Sequence, residues 1–267
     1  MSWLVVETRQ LVGLLSDALL TAGKDADDYP SLVTVLLDCD HTDVEIESRE
    51  DGETLIDTIP SDVLVATSTD GFTIASQGHI PCEGWLHHPV LLAADDVDNV
   101  VRTFTKKGKT APKSDIHRTR IEISGDGATF SEQHPAVFNG TVMTIRTQDI
   151  SMYPKGLERT LDPDYVTEVV HHETRKPIQR TTGAAIHPGS WEIIAKVAKR
   201  RKMVPVYYRR HQFQRVIVEV GSMWRASLGA FRLLDEDLYK AERVPVFKPR
   251  LPSKDDESST EPLPVVD

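Results

Sequence analysis

Cysteine is nearly missing: the 267 residues hold two, Cys39 and Cys82. Neither belongs to a Cys-x-x-Cys pair, so the ligand spacing of a structural zinc site is missing too. Two cysteines allow one disulfide at most, and a reduced, cytosolic setting is the better expectation. No stretch of about 18 uncharged apolar residues occurs, so no membrane span is expected. The opening MSWLVVETRQLV has neither a basic n-region nor a long apolar run, and no secretory signal is read there. The Gly-rich phosphate loop, the dinucleotide fingerprint, the nucleophile elbow and the His-Glu-x-x-His helix are all lacking. His87-His88 and His171-His172-Glu173 come nearest to a metal cluster. Adjacent strand residues point to opposite faces, which argues against a shared ion. The chain therefore reads as a non-enzyme with no metal and no cofactor. An excess of positive charge is also lacking: 31 Lys and Arg face 41 Asp and Glu, a net charge of −10. That excludes a uniformly basic surface, but the placement of the cations matters more than their sum.

What is there suits a soluble globular chain, with 39% hydrophobic and 27% charged residues. The length is enough for one large or two ordinary domains. Leu11, Leu14, Leu15, Ala18, Leu19 and Ala22 recur at helical spacing, and the pattern predicts a helix over 5–22. Gly23, an acidic cluster and Pro30 end it. β-rich runs follow through SLVTVLLDCD, DVEIESRE and TLIDTIPSDVLVATS, then a turn at Thr69-Asp70-Gly71 and the run GFTIASQGHI. A second helix is expected over 90–108, with Asp95, Asp96 and Asp98 near its start and Lys106 and Lys107 at its end, the order that suits the helix dipole. A hairpin turning at Gly125-Asp126-Gly127 comes next, then strand-like VFNGTVMTIRTQD. His187-Pro188-Gly189-Ser190 opens a third helix, on which Trp191, Ile194, Ala195 and Ala198 are expected to share a buried face. Three strands follow it, the last pair turning at Gly221. A helix followed by several strands thus occurs three times, an α+β pattern in which the second copy starts about 85 residues after the first.

Two basic groups stand out. Lys196, Lys199, Arg200, Arg201 and Lys202 crowd the last turns of the third helix, with Glu192 alone opposing them. Phosphate is the natural partner of such a strip; complementing the helix dipole is the plainer reading. Lys106, Lys107, Lys109, Lys113, Arg118 and Arg120 form the second group, for which a solvated loop is the plainer reading. Tyr207, Tyr208 and Phe213 lie among Arg209, Arg210, His211 and Arg215, an interleaving that can stack single-stranded bases. A strand whose aromatics face the core is the preferred reading there.

VATSTDGFTIA, residues 65 to 75, resembles the strand-turn-strand of bacterial sliding clamps, the beta subunits of DNA polymerase III. The order around it is similar as well: VVETRQLVGLLSDALLTA before it, VLLAADDVDNVVRTF and IEISGDGATFSEQ after it, TIRTQDISMYPKGLERTL where the family has a connector, and RVIVEVGSMWRASLGAFR where it has its final hairpin. The resemblance implies a DNA-clamp-like α+β fold of repeated helix-plus-antiparallel-strand units. It divides the chain into a clamp-like domain at 1–135, a reduced second one at 136–240 and a flexible acidic tail at 241–267. It implies a processivity factor that encircles or tracks double-stranded DNA, tethers a DNA polymerase, meets clamp-loader-like proteins and forms a homo-oligomeric ring in the cytoplasm, at the nucleoid. Two-domain subunits would need three copies for a six-domain ring. By the same resemblance Arg9, Lys24, Arg102, Lys106, Lys107, Lys196, Lys199, Arg200, Arg201 and Lys202 would face DNA, and partner peptides would dock in an apolar cleft near the end of a domain. The alternative is a single-stranded nucleic-acid-binding or replication accessory protein, without a ring, that uses the 207–215 strands.

Overall fold

Each helix is entered directly from a strand. In the computed structural model, β1 (Ser2–Glu7) runs into α1 (Thr8–Thr21), β6 (Val90–Ala93) into α2 (Ala94–Gly108), and β10 (Ala185–Ile186) precedes α3 (Pro188–Arg201). The structure describes residues 2–24, 29–50, 53–71, 73–108, 117–133, 140–154, 157, 161, 185–186, 188–209 and 216–231. These belong to one compact unit, Met1–Arg232; a second unit, Leu233–Asp267, lies outside the described residues, and so does the expected tail. The helices expected over 5–22 and 90–108 are thus shorter than their apolar patterns. Val5, Val6 and Glu7 are strand, and so are Val90 to Ala93. No turn residue separates strand from helix, so the two apolar periods merge in the sequence. The N-cap of α1 is Glu7, which makes no side-chain capping bond. The Thr8 amide instead donates to the His117 carbonyl oxygen at 2.8 Å, a long-range substitute for a local cap.

After α1 come β2 (Thr34–Glu50), β3 (Glu53–Thr69), β4 (Ile74–Pro81) and the short β5 (Glu83–Trp85); after α2 come β7 (Arg118–Ser124), β8 (Gly127–Gln133) and β9 (Val142–Gln148). The two units exchange their first strands. β1 pairs with β7, and β6 pairs with β2, so the orders β4-β3-β2-β6 and β9-β8-β7-β1 mirror one another. A short β6–β9 ladder joins them. Units that each lend a strand to the other cannot separate without leaving unpaired edges. The third unit supplies β11 (Pro205–Arg209), β12 (Val216–Val220) and β13 (Trp224–Leu228), and β13 adds antiparallel to β4 from Trp224↔Gly78 to Leu228↔Ile74. β14 (Ala230–Phe231) pairs with β10. The result is a mixed fold of antiparallel sheet and α-helices.

The main core lies between sheet and helices. Leu11, Leu14, Leu15 and Ala18 of α1 and Val97, Val100 and Phe104 of α2 meet Leu4, Leu37, Leu64, Ile121 and Phe130 from the strands. A second core sets Ile194 and Val197 of α3 on Val218, Trp224, Ala226 and Leu228. The buried stripe of α3 is therefore Ser190, Ile194 and Val197; Trp191 and Ala195 are exposed, a rotation from the face expected from the sequence. Continuing the stripe by one turn reaches Arg201.

The turn at Thr69-Asp70-Gly71 is held by its own side chains. Asp70 accepts from the Thr73 amide at 2.8 Å, the Ile74 amide at 2.9 Å and the Thr73 hydroxyl, while Thr69 Oγ1 accepts from the Gly71 amide. Gly71 has φ +78, a left-handed conformation that favours glycine. Ser68 and Ser76 flank the turn and hydrogen-bond Thr21 near the end of α1, each at 2.5 Å. The turn is thereby fixed to the helix terminus.

Lys202 closes α3 in the left-handed region at φ 56, and the Met203 amide donates to the Ala198 carbonyl at 3.1 Å. This is a Schellman closure with a residue other than glycine at the left-handed position. Lys202→Gly is expected to raise stability by about 1 kcal/mol, measured as the urea midpoint at unchanged m. A neutral or destabilising result would mean that the lysine side chain offsets the strain.

Candidate nucleic-acid interface

The three helices lie side by side, with α2 and α3 both packed on α1. Arg9, in the first turn of α1, is exposed, as are Lys24 just beyond its end and Lys199 and Lys202 at the end of α3. None of these four has an ion-pair partner among the described residues. Lys196 pairs with Glu192 at 2.7 Å, and Arg102 with Asp98 at 2.5 Å, both one turn apart on exposed helix faces, where such pairs add little stability and leave the cation accessible. The side chains of Lys106 and Lys107, with Lys109 and Lys113, lie outside the described residues. Arg118 binds Glu83 at 2.7 Å. Arg120 lies 4.8 Å from the centre of the Trp3 ring, on the sheet face opposite the buried Ile121.

Arg200 and Arg201 are occupied. Both guanidinium groups bond Asp17 of α1, Arg201 through Nε at 2.9 Å, and the Asp17 side chain is 1% exposed. Arg201 is 15% exposed and Arg200 38%. Burial pushes the Asp17 carboxyl above the ordinary carboxylate range, against the pull of Arg201 and Arg200. Asp17 was not singled out in the sequence, although a signal exists. It falls three residues after Leu14 and four before Thr21, on the buried side of α1, and an acid there needs a partner.

His79 of β4 is half-buried near this clasp. Burial, then Arg201 and Arg225, hold its imidazole below the usual histidine range, with Asp40 pulling the other way. A depressed folded value means that the stability tied to neutral His79 is present above about pH 6.5 and lost as pH falls through the folded value. His79→Gln is therefore expected to lose less stability than the wild type between about pH 7.5 and 5.5. Equal losses in urea titrations at the two pH values would refute this.

A groove of 610 Å³ opens between the end of α1, the Thr69–Gly71 turn and the start of α3. Leu19, Leu20, Leu32, Ile74 and Ile193 form its apolar walls, and Lys24 and Lys196 stand among its lining residues. In the first turn of α3, the Trp191 ring meets the Tyr207 ring of β11 at 5.2 Å, tilted by 57°, with both side chains exposed. Tyr207 thus does not face the core as preferred from the sequence. The remaining basic and aromatic residues of 210–215 lie outside the described residues.

No protein-family model and no curated protein matches the sequence. The fold has clear relatives among solved structures. The DNA polymerase III beta subunit of Thermotoga maritima is similar over 88% of this chain and 66% of its own, at 12% identity and TM-score 0.54. The beta chain of Streptococcus pneumoniae is similar over 92% and 69%, at 11% and 0.53. The DNA polymerase sliding clamp of Caulobacter crescentus is similar over 91% and 69%, at 12% and 0.53. The chain thus has the fold of these clamps and spans about two thirds of their length.

Proposed function

We propose that the chain is a sliding-clamp-like processivity factor that encircles or tracks duplex DNA and tethers a polymerase. The observation that carries this reading is the fold: strand-entered helices, each followed by antiparallel strands, in the arrangement of polymerase clamps. The chemistry supports it. A molecule of net charge −10 carries, on adjacent helices, exposed cations that have no ion-pair partner among the described residues, and contacts to phosphate alone read no sequence and permit sliding. In this reading the chain is divided into a clamp-like domain at 1–135, a reduced second one at 136–240, and the segment 241–267, which lies outside the described residues. Ring closure would use the outer strands of the sheet, β5 and β11, which are its two ends. The groove between α1 and α3 is the candidate seat for an apolar partner peptide. The function needs no catalytic residue, metal or cofactor.

Light scattering with a DNA-retention assay tests the reading. A clamp has the mass of a closed oligomer, stays on nicked circular DNA and leaves when the circle is linearised. A monomer that leaves both forms equally overturns it. One observation favours a second reading as a single-strand binder, namely the exposed Trp191–Tyr207 pair. Salt-sensitive quenching of tryptophan by short oligonucleotides, with no oligomer, would support that instead.

A further inference from the structure

A second groove, of 440 Å³, lies at the other end of the α1–α3 pair, between the first half of α1, the end of α3 and the turn from β12 to β13. Leu14, Ile80, Met203 and Met223 form its apolar floor. Leu14 and Ile80 belong to the main core, Met223 packs against it, and Met203 is 49% exposed. Two cations stand at the rim. Arg9 is exposed and has no ion-pair partner among the described residues. Arg200 bonds Asp17 through Nη1, while its Nε and Nη2 have no partner among the described residues. Glu7, also in the lining, accepts from Gln10 Nε2 at 2.8 Å. With Arg201 counted, three arginines face the two acids Glu7 and Asp17, so the lining is positive. Gly13 also lines the groove, in the middle of α1, where glycine is among the least favourable residues. Packing does not call for it, because a Cβ there would have no heavy atom within 4 Å. The missing side chain instead lowers the α1 wall, one turn after Arg9 and one turn before Asp17, and lets another chain approach the helix closely.

We infer that this groove seats an acidic, apolar-anchored peptide segment of a partner protein. The main chain of the segment passes over Gly13, an apolar side chain rests on the two methionines, and a carboxylate meets Arg9 and Arg200. Methionine suits such a floor, since its unbranched, polarisable side chain fits partners of different shape. A guanidinium offers a carboxylate paired N–H donors, and the charge roughly doubles the strength of each hydrogen bond. Phosphate answers the same cations, but a nucleic-acid strand held at the rim leaves four apolar side chains unused, and a peptide uses both. The seat requires neither a ring nor DNA, and it is separate from the groove at the start of α3.

The full chain is panned against a displayed library of random dodecapeptides, with the Gly13→Leu chain as counter-selection. The expected result is an enriched group that carries Asp or Glu beside a large apolar residue. A synthetic copy should bind the wild type saturably in fluorescence anisotropy. Amidating its acid, or Arg9→Ala in the protein, should each weaken binding about 10-fold. Gly13→Leu should weaken it further, and Met203→Ala should weaken the peptide while leaving duplex DNA affinity unchanged. Gly13→Ala and Gly13→Leu should raise the urea midpoint, because both residues favour a helix over glycine, so their loss of binding is not loss of fold. The inference fails if no peptide survives the counter-selection, if the enriched peptides carry no acid, or if Gly13→Leu weakens a short DNA duplex and leaves the peptide untouched, which would make the groove a nucleic-acid seat. Peptide binding is read on the chain without DNA, so it stands or falls separately from the DNA-retention test.

Discussion

Replacing Asp17 with alanine is expected to lower the unfolding free energy by about 3–5 kcal/mol. The carboxylate is buried between α1 and α3 and bonds both Arg200 and Arg201. Removing it leaves the mostly buried Arg201 guanidinium without a counter-charge, and this uncompensated charge accounts for most of the loss. Arg200 is more exposed, so water screens it and its share is small. In a double-mutant cycle, Asp17→Ala with Arg201→Met should cost less than the sum of the single changes, because the second change removes the stranded cation. Urea unfolding of the four chains gives the coupling. A single-variant loss under about 1 kcal/mol, or additive changes, would mean that the clasp is a surface contact and that the β4–β13 ladder alone holds the third unit.

Charge reversal on the helical layer should have the largest functional effect. Arg9→Glu with Lys199→Glu removes two exposed cations, on α1 and α3, that have no ion-pair partner among the described residues. If each meets one phosphate, the slope of log affinity against log salt should fall by about 2, and duplex affinity by on the order of 10- to 100-fold at low salt. The fold should be unaffected, since neither residue supports the core. Affinity measured across a salt series decides the matter; an unchanged slope would place the DNA elsewhere, or nowhere. Arg201 makes a useful contrast. Its substitution should act mainly through stability, because its guanidinium already serves Asp17.

Much of this protein is legible one segment at a time. Leu11, Leu14, Leu15 and Ala18 mark a helix because only a 3.6-residue period brings them to one side, and they are buried as expected. The Gly125-Asp126 turn between β7 and β8 and the Gly221 turn between β12 and β13 follow from positive φ at glycine. The Thr69-Asp70-Gly71 turn carries both its own hydrogen bonds and the resemblance to clamps. The short strands entering α1 and α2 were hidden, because an apolar strand that flows into an apolar helix leaves no punctuation.

Sequence alone determined the kinds of element, the three-fold recurrence of helix and strands, and the clustering of cations at the ends of helices. These are local properties, set by backbone sterics and by the period at which apolar residues return. Tertiary structure alone decided which strand is lent to which unit, and which cations are spent on Asp17 and which stay open. Asp17 and Arg201 are separated by 184 positions, and no local period carries information across that distance. The pairing arises because burying the apolar stripes of α1 and α3 brings their charged residues together, and a buried charge must then find its opposite.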